Sequence, residues 1–388
     1  MKTVIGLTGA FGSGCTKIAE TFICPMGYSY ISLSQILREE YRRSNGELGE
    51  EAPRSVLQDF GDEQRRTKGN AYFAVKAIEQ IIGMEEDLII VDSIRNPHEV
   101  QELRRAFINF YLIGVFADSH IRWNRVKDKY RNNSAEFEKD EKRDKGENDK
   151  PYGQGVTECF LNSDLIISNN KEIIGENIAY REMSTKCGKY INLLNNPYSQ
   201  LPNDDETLMS IAFANSQRSS CLKRRVGAII VKSGNIIGSG YNEVPSLPAQ
   251  NTCNEKYNGC YRDKHRRDLK NEIVREQGVT TEQADQLIDK IKVLEKCRSL
   301  HAEENAIINI ARFGNSAVLK DSVLYTTTFP CNLCANKIVQ TQISRIVYFE
   351  PYPVIEAKEI LDGANILQSP FEGITFKSYF RVFGKIQM

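Results

Sequence analysis

The stretch His301-Ala302-Glu303, followed thirty positions after its histidine by Pro330-Cys331-Asn332-Leu333-Cys334, decides how this chain is read. A helix is expected from His301 to Arg312, stopped by Gly314, then a strand at Val323–Thr326 and a second helix from Cys331. Both ligand-type groups then open a helix, where the positive end of the dipole stabilises thiolates and developing negative charge. Pro330 suits such a start because no backbone donor is lost near a helix N-terminus. One imidazole and two thiolates make three metal ligands, and zinc with three protein ligands and one open position lowers the pKa of bound water to about 7. Glu303 is then placed to carry protons instead of binding the metal. A lone Cys-x-x-Cys reads equally well as a structural zinc or redox pair; its union with His-x-Glu in a strand–helix context favours a catalytic zinc on His301, Cys331 and Cys334.

Outward from this core, Leu208–Asn215 reads as a helix, and Val226–Val231 with Ile236–Tyr241 as a hairpin turned by Ser233, Gly234 and Asn235. A long polar excursion runs from Glu243 to about Ser299, and a strand at Arg345–Phe349 and a helix at Ile355–Leu361 complete the segment. Upstream, Lys186–Asp205 is polar and contains Pro197 and Pro202, which makes it the expected linker, with the boundary near residue 195. The first part alternates apolar runs (Val4–Leu7, Asp87–Val91, Phe110–Phe116, Leu165–Ile167) with amphipathic stretches, the pattern of a parallel α/β sheet. Lys127–Lys150 is almost wholly polar and charged, as in a solvated lid or mobile loop.

Gly9-Ala10-Phe11-Gly12-Ser13-Gly14-Cys15-Thr16 follows an apolar strand and precedes a helix, as a phosphate-cradling P-loop does. Gly9, Gly12 and Gly14 permit the close backbone approach that phosphate oxygens need. Cys15, a neutral thiol, stands where the lysine that reaches the β and γ phosphates is expected, so nucleotide binding is favoured over phosphoryl transfer. Lys17 lies two places on and projects to nearly the opposite side of the helix.

The chain of 388 residues is 40% hydrophobic, enough for two cores. Lysine plus arginine number 51 and aspartate plus glutamate 51, so no global positive field draws it to nucleic acid or an acidic membrane. No apolar run approaches the roughly 20 residues of a membrane span, and Met1 leads into a strand instead of a signal segment. A cytoplasmic protein with no membrane partner is expected, its ten cysteines reduced or bound to metal.

His-x-Glu with Pro-Cys-x-x-Cys is the signature of zinc-dependent nucleobase deaminases. The surrounding sequence resembles the deoxycytidylate deaminase branch over roughly residues 205–385: Arg218-Ser219-Ser220-Cys221, Arg224 through Val231, Gly240-Tyr241-Asn242 with Pro245, then His301-Ala302-Glu303 with Asn305-Ala306-Ile307, fall in its order. The resemblance implies a three-layer α-β-α domain, Glu303 as proton carrier, and substrate contacts at Asn242 and Arg224, Asn242 reaching the deoxyribose. Asn242 also reads as a turn residue at a hairpin end. Asn242-Glu243 departs from the family's frequent Asn-Gly and puts a carboxylate near the expected phosphate side. Similar deaminases carry a structural zinc in the excursion, for which Cys253, Cys260 and Cys297, and less so His265, are the candidates; free surface thiols are the alternative.

The first half resembles P-loop nucleoside monophosphate kinases, through Ser32–Arg38, Leu57–Gly61, Val91–Pro97 and the arginine-bearing stretch Arg122–Arg131. That resemblance puts Gly9, Gly12, Ser13, Gly14, Cys15 and Thr16 around a nucleotide, Arg38 and Arg95 near a monophosphate, and Thr16 and Asp92 near Mg2+. The expected organisation is a P-loop kinase-like parallel-sheet domain at 1–185, a linker at 186–204, and a deaminase domain at 205–388 with an insertion at about 243–299. The combination resembles two-domain antiphage deaminases. It implies zinc-dependent deamination of dCTP, dCMP or both, gated by a nucleotide effector at the P-loop domain, in a homo-oligomer under some restraint such as an inhibitory partner. An RNA or tRNA base deaminase and a catalytically silent nucleotide-binding regulator are the rival readings.

Overall fold

The computed structural model describes residues 2–46, 52–146, 151–245, 252–289, 296–314, 316–350 and 355–384. The chain divides into two compact units, Met1–Glu206 with Glu372–Met388, and Thr207–Phe371. Among the described residues no helix is long and apolar enough to cross a membrane.

The first unit is built on strands β1 (Thr3–Thr8), β2 (Ser29–Ser32), β3 (Leu88–Asp92), β4 (Asn109–Phe116), β5 (Leu165–Ser168) and, from the far end of the chain, β11 (Gly373–Ile374). Their order is β11-β5-β4-β1-β3-β2. All pairings are parallel except the antiparallel edge β11, where Gly373 faces Ile166 and Ile374 faces Leu165. Successive side chains of a strand point to opposite faces, so each apolar run feeds two cores. Ile5, Leu7, Ile90, Tyr111, Ile113 and Val115 pack on one side with Ile18, Phe22, Met183 and Tyr190. Val4, Ile89, Val91, Phe110 and Leu112 pack on the other with Phe73, Ala77, Ile81 and Leu103.

Three expectations need correction here. The first half of the expected 186–204 linker is helical, inside Ile178–Asn195, because Met183, Cys187, Tyr190, Ile191 and Leu194 recur at helical spacing and are buried. The end of the expected 205–388 domain belongs to the first unit, since β11 pairs with β5 and Ile374 and Val382 lie in the first core. The polar lid carries a helix, Ser134–Lys145, capped by Asn133, whose side chain accepts from the Glu136 N–H; residues 147–150 of the lid lie outside the described residues.

The second unit holds β6 (Gly227–Lys232), β7 (Asn235–Tyr241), β8 (Val323–Thr328), β9 (Arg345–Glu350) and β10 (Leu367–Pro370), in the order β10-β9-β8-β6-β7. β6 is antiparallel to both β7 and β8, while β8, β9 and β10 run parallel. The hairpin turns where Ser233 and Gly234 both take left-handed φ, 49° and 77°, as a two-residue primed turn requires. Ala228, Ile230, Leu324 and Ile346 face the helices Ala302–Arg312, Asn332–Gln340 and Ile355–Gly363. Ile229, Val231, Tyr325, Val347 and Phe349 alternate with them and are buried on the opposite face, where Phe213 meets Phe349 edge to face at 4.7 Å. The excursion contains helices Cys253–Tyr257, Tyr261–Gln277 and Thr281–Asp289; its residues 246–251 and 290–295 lie outside the described residues.

Candidate active site

β8 and the two helices flanking it deliver the zinc-type ligands to one point. His301 is the extended residue that opens the helix Ala302–Arg312, and its N–H donates to the Glu304 carboxylate at 3.3 Å. Cys331 opens the helix Asn332–Gln340, and Cys334 lies one turn inside it. His301 Nδ1 is 3.2 Å from Cys331 Sγ and 3.4 Å from Cys334 Sγ, and the three donor atoms all lie within 4.8 Å of one another. A tetrahedral zinc with ordinary Zn–N and Zn–S bonds spreads such donors to roughly 3.5 Å, so this set of one borderline nitrogen and two soft sulfurs fits the ion. A hydrogen bond from Cys334, with a further one from His301, pulls the Cys331 thiol well below its ordinary range, which favours the thiolate that binds metal. The same bond to Cys331, with burial, pushes Cys334 well up.

Glu303 is 4% exposed and lies two residues after His301. Its Oε2 lies 3.6 Å from Cys334 Sγ, and its Oε1 faces the Thr326 hydroxyl at 3.4 Å. Burial raises its pKa above the ordinary carboxylate range. A carboxyl that holds a proton more readily than usual, beside a metal-type triad, is suited to proton transfer. Thr326, fully buried on β8, carries no sequence signature and was not foreseen.

The Gly-Tyr-Asn segment has a packing role. A Cβ on Gly240 would lie 2.3 Å from both Ala302 O and Ala306 N, so only glycine lets β7 rest on the helix that carries Glu303. Asn242 directs its side chain at backbone: Oδ1 accepts from Val226 N at 2.7 Å and Nδ2 donates to Arg224 O at 2.9 Å. Arg224 pairs with Glu350. Glu243 bridges backbone to backbone with Leu300, and its carboxylate accepts from Asn305 Nδ2 at 3.1 Å. That side chain is thereby turned toward the helix Ala302–Arg312.

Of the four candidates for a second metal, Cys253, Cys260 and Cys297 line one small cavity, and the cysteine that joins them is Cys221. His265 is absent from that lining and stacks beside Tyr261, with ring centroids 6.3 Å apart. Cys221 sits some thirty residues before Cys253 in sequence, in a stretch read only as a motif, so its partnership was invisible. Among the described residues, His301, Cys331 and Cys334 form the one group whose donors lie within 4.8 Å.

In the first unit, Gly9, Gly12, Ser13, Gly14, Cys15, Thr16, Arg38, Asp92 and Arg95 all line one cavity of about 570 Å3. Gly12 and Gly14 have φ of 85° and 95°. Thr16 Oγ1 donates to the fully buried Asp92 at 2.7 Å, and Tyr30 donates to the same oxygen at 3.0 Å. Cys15 Sγ lies 3.5 Å from Ser13 Oγ; burial, then the Asp92 charge, push its thiol up to about 12. Lys17 donates to Ile173 O at 3.0 Å.

The chain matches, over residues 202–350, the family described as the cytidine and deoxycytidylate deaminase zinc-binding region. It is 26% identical over 356 residues to a deoxycytidylate deaminase of Schizosaccharomyces pombe, covering 90% of each chain. A deoxycytidylate deaminase of Mycobacterium phage D29 is 32% identical over 148 residues, 38% of this chain and 94% of the phage protein. A UPF0200 protein of Methanothermobacter thermautotrophicus is 30% identical over 178 residues, 44% of this chain and 83% of its own. With its zinc-type triad and buried glutamate set beside these likenesses, this chain belongs to the cytidine and deoxycytidylate deaminase family and is a hydrolytic deaminase.

Proposed function

We propose that this chain deaminates free deoxycytidine nucleotides, dCMP foremost and dCTP as the further candidate, releasing ammonia and the deoxyuridine nucleotide. The observation that carries the reading is the buried Glu303 carboxyl beside Cys334 and Thr326, next but one to His301. His301, Cys331 and Cys334 would hold zinc, which when bound supplies a hydroxide at neutral pH to attack the cytosine C4. Glu303 accepts the proton that the attacking water gives up and delivers it to ring N3. It then takes the remaining proton from the hydroxyl now on C4 and passes it to the amino group, so the C4–N bond breaks, ammonia leaves and the carbonyl forms. Thr326 holds the carboxyl oriented between these two transfers. The full-length likeness to a yeast protein named for deoxycytidylate supports the monophosphate as substrate.

Cys221, Cys253, Cys260 and Cys297 would hold a second, structural zinc, an all-thiolate set in place of the one that included His265. The glycine loop of the first unit would take a nucleotide with Mg2+ at Thr16 and Asp92 and gate the deaminase, the restraint that a role in draining nucleotides during phage infection requires. Ammonia release from dCMP and dCTP by the purified full chain tests the enzymatic reading. Glu303→Ala should lower kcat by about 10^3-fold with zinc content unchanged, within the usual range for loss of a general acid–base. No ammonia from either nucleotide, or full activity in the variant, would defeat the proposal.

A further inference from the structure

The 570 Å3 cavity beside the glycine loop has a cationic wall that a lysine at position 15 would otherwise reinforce. Arg54 and Arg95 supply that wall. Arg54 lies with its guanidinium 4.0 Å over the ring of Phe11, a residue of the loop itself, so it is fixed to the phosphate cradle. Burial and repulsion from Arg95 lower its pKa, which marks the two guanidiniums as close and in need of an anion. Asp140 also pairs with Arg54, but the anion that reaches both arginines is Asp144, 1% exposed, near the end of the lid helix Ser134–Lys145. Its carboxylate is 2.5 Å from Arg54 Nη2, 3.7 Å from Arg95 Nη1, and accepts from Gln58 Nε2 at 2.8 Å.

The helix that carries Asp144 buries few of its own side chains. Among its described side chains only Phe137 and Asp144 are buried. Phe137 packs in a small cluster with Val126 and Tyr130, against Phe11 and Trp123. Its other anchors are charges: Glu141 on Arg122, Asp140 on Arg54 at 3.5 Å, and Arg143 on Asp62 at 2.7 Å. The Arg143 pair, which solvent reaches, contributes little, whereas Arg122 is buried. Among these ties, the Asp144 carboxylate is the one lodged between two arginines of the cavity wall, the place a phosphate oxygen would take.

We propose that Asp144 is a built-in competitor for a magnesium nucleoside triphosphate, whose terminal phosphate displaces it from Arg54 and Arg95 and releases the lid helix. The proposal rests on reading the glycine loop as a phosphate cradle, and its test separates the two. MgATP is the probe, with affinity measured by calorimetry and the helix followed by hydrogen–deuterium exchange on the full chain. Asp144→Asn keeps the side chain's shape and removes its charge, so it should bind MgATP about tenfold more tightly than the unaltered chain. Arg54→Met combined with Asp144→Asn should lose that gain. Addition of MgATP to the unaltered chain should speed exchange at Ser134–Lys145, and the same segment of Asp144→Asn should exchange fast before any ligand is added. MgATP binding that Thr16→Ala removes but Asp144→Asn leaves unchanged, with the helix equally protected throughout, overturns the competitor and spares the cradle. Absence of MgATP binding in both the unaltered chain and Asp144→Asn overturns both. Should Asp144→Asn not fold, the exchange response of the unaltered chain decides alone.

Discussion

His301, Glu303, Cys331 and Cys334 were legible in the sequence because a metal site demands fixed residue types at helix starts, and that demand leaves a spacing behind. The structure brings the three ligand types together and buries the glutamate against them. Thr326 could not be found the same way, since a threonine on a buried strand is ordinary until its neighbour is known. Cys221 was hidden for another reason: the cysteines that share its cavity come from a segment containing three helices, and spacing does not encode how that segment folds. Asn242, expected at a sugar, has its amide engaged by the backbone of Arg224 and Val226. At this scale the proposal of a second zinc can be measured directly. The purified chain should contain about two zinc ions by elemental analysis, and Cys221→Ser should bring that to about one with the catalytic ion retained. A content unaffected by Cys221→Ser would remove Cys221 from the ligand set.

Elements were read well where hydrophobic period and turn chemistry agree. The hairpin β6–β7, the strands β8 and β9 and the helix after His301 appear within a few residues of where alternation and glycine stops put them. The helix Ile178–Asn195 was missed because its charged and asparagine positions face outward and dilute the apolar stripe, while Pro197 suggested an early break. The lid helix was missed because it has almost no apolar face to see. Gly240 shows how strictly one element seats another. Gly240→Ala sets a methyl against the backbone of the Glu303 helix, where no side-chain rotation relieves it. The expected cost is about 3 kcal/mol or more, the upper range for overpacking. Denaturant unfolding should show it as a lowered midpoint for the second unit, accompanied by zinc loss; an unchanged midpoint would mean that β7 and the helix separate easily.

At the scale of the whole molecule, the units divide between Glu206 and Thr207 where a boundary near residue 195 is expected, and the return of the chain to the first unit at Glu372 was not foreseen, because a two-residue edge strand leaves no pattern. Glu206 records that return. It is 2% exposed, and its two oxygens accept from Asn203 N at 2.9 Å and Ile374 N at 2.8 Å. Burial outweighs those bonds and raises its pKa. The folded state therefore holds the proton more firmly than the unfolded chain, so this group's contribution is fully present below the ordinary carboxylate pKa and is lost as pH rises through the raised one. Urea midpoints of the first unit should accordingly decline over the interval just above the ordinary carboxylate pKa, and Glu206→Gln should flatten that decline. An identical slope in the variant would show that the carboxyl is not the titrating group.

The late position of β11 has a consequence for synthesis. A ribosome reading this message completes the entire metal-bearing unit before it delivers Gly373 and Ile374, the last strand of the sheet it began with. A nascent chain stalled anywhere before that point carries an unfinished sheet with β5 as an open edge, the kind of edge that templates strand pairing with another chain. Completion of the first sheet thus waits on translation reaching Gly373 and Ile374.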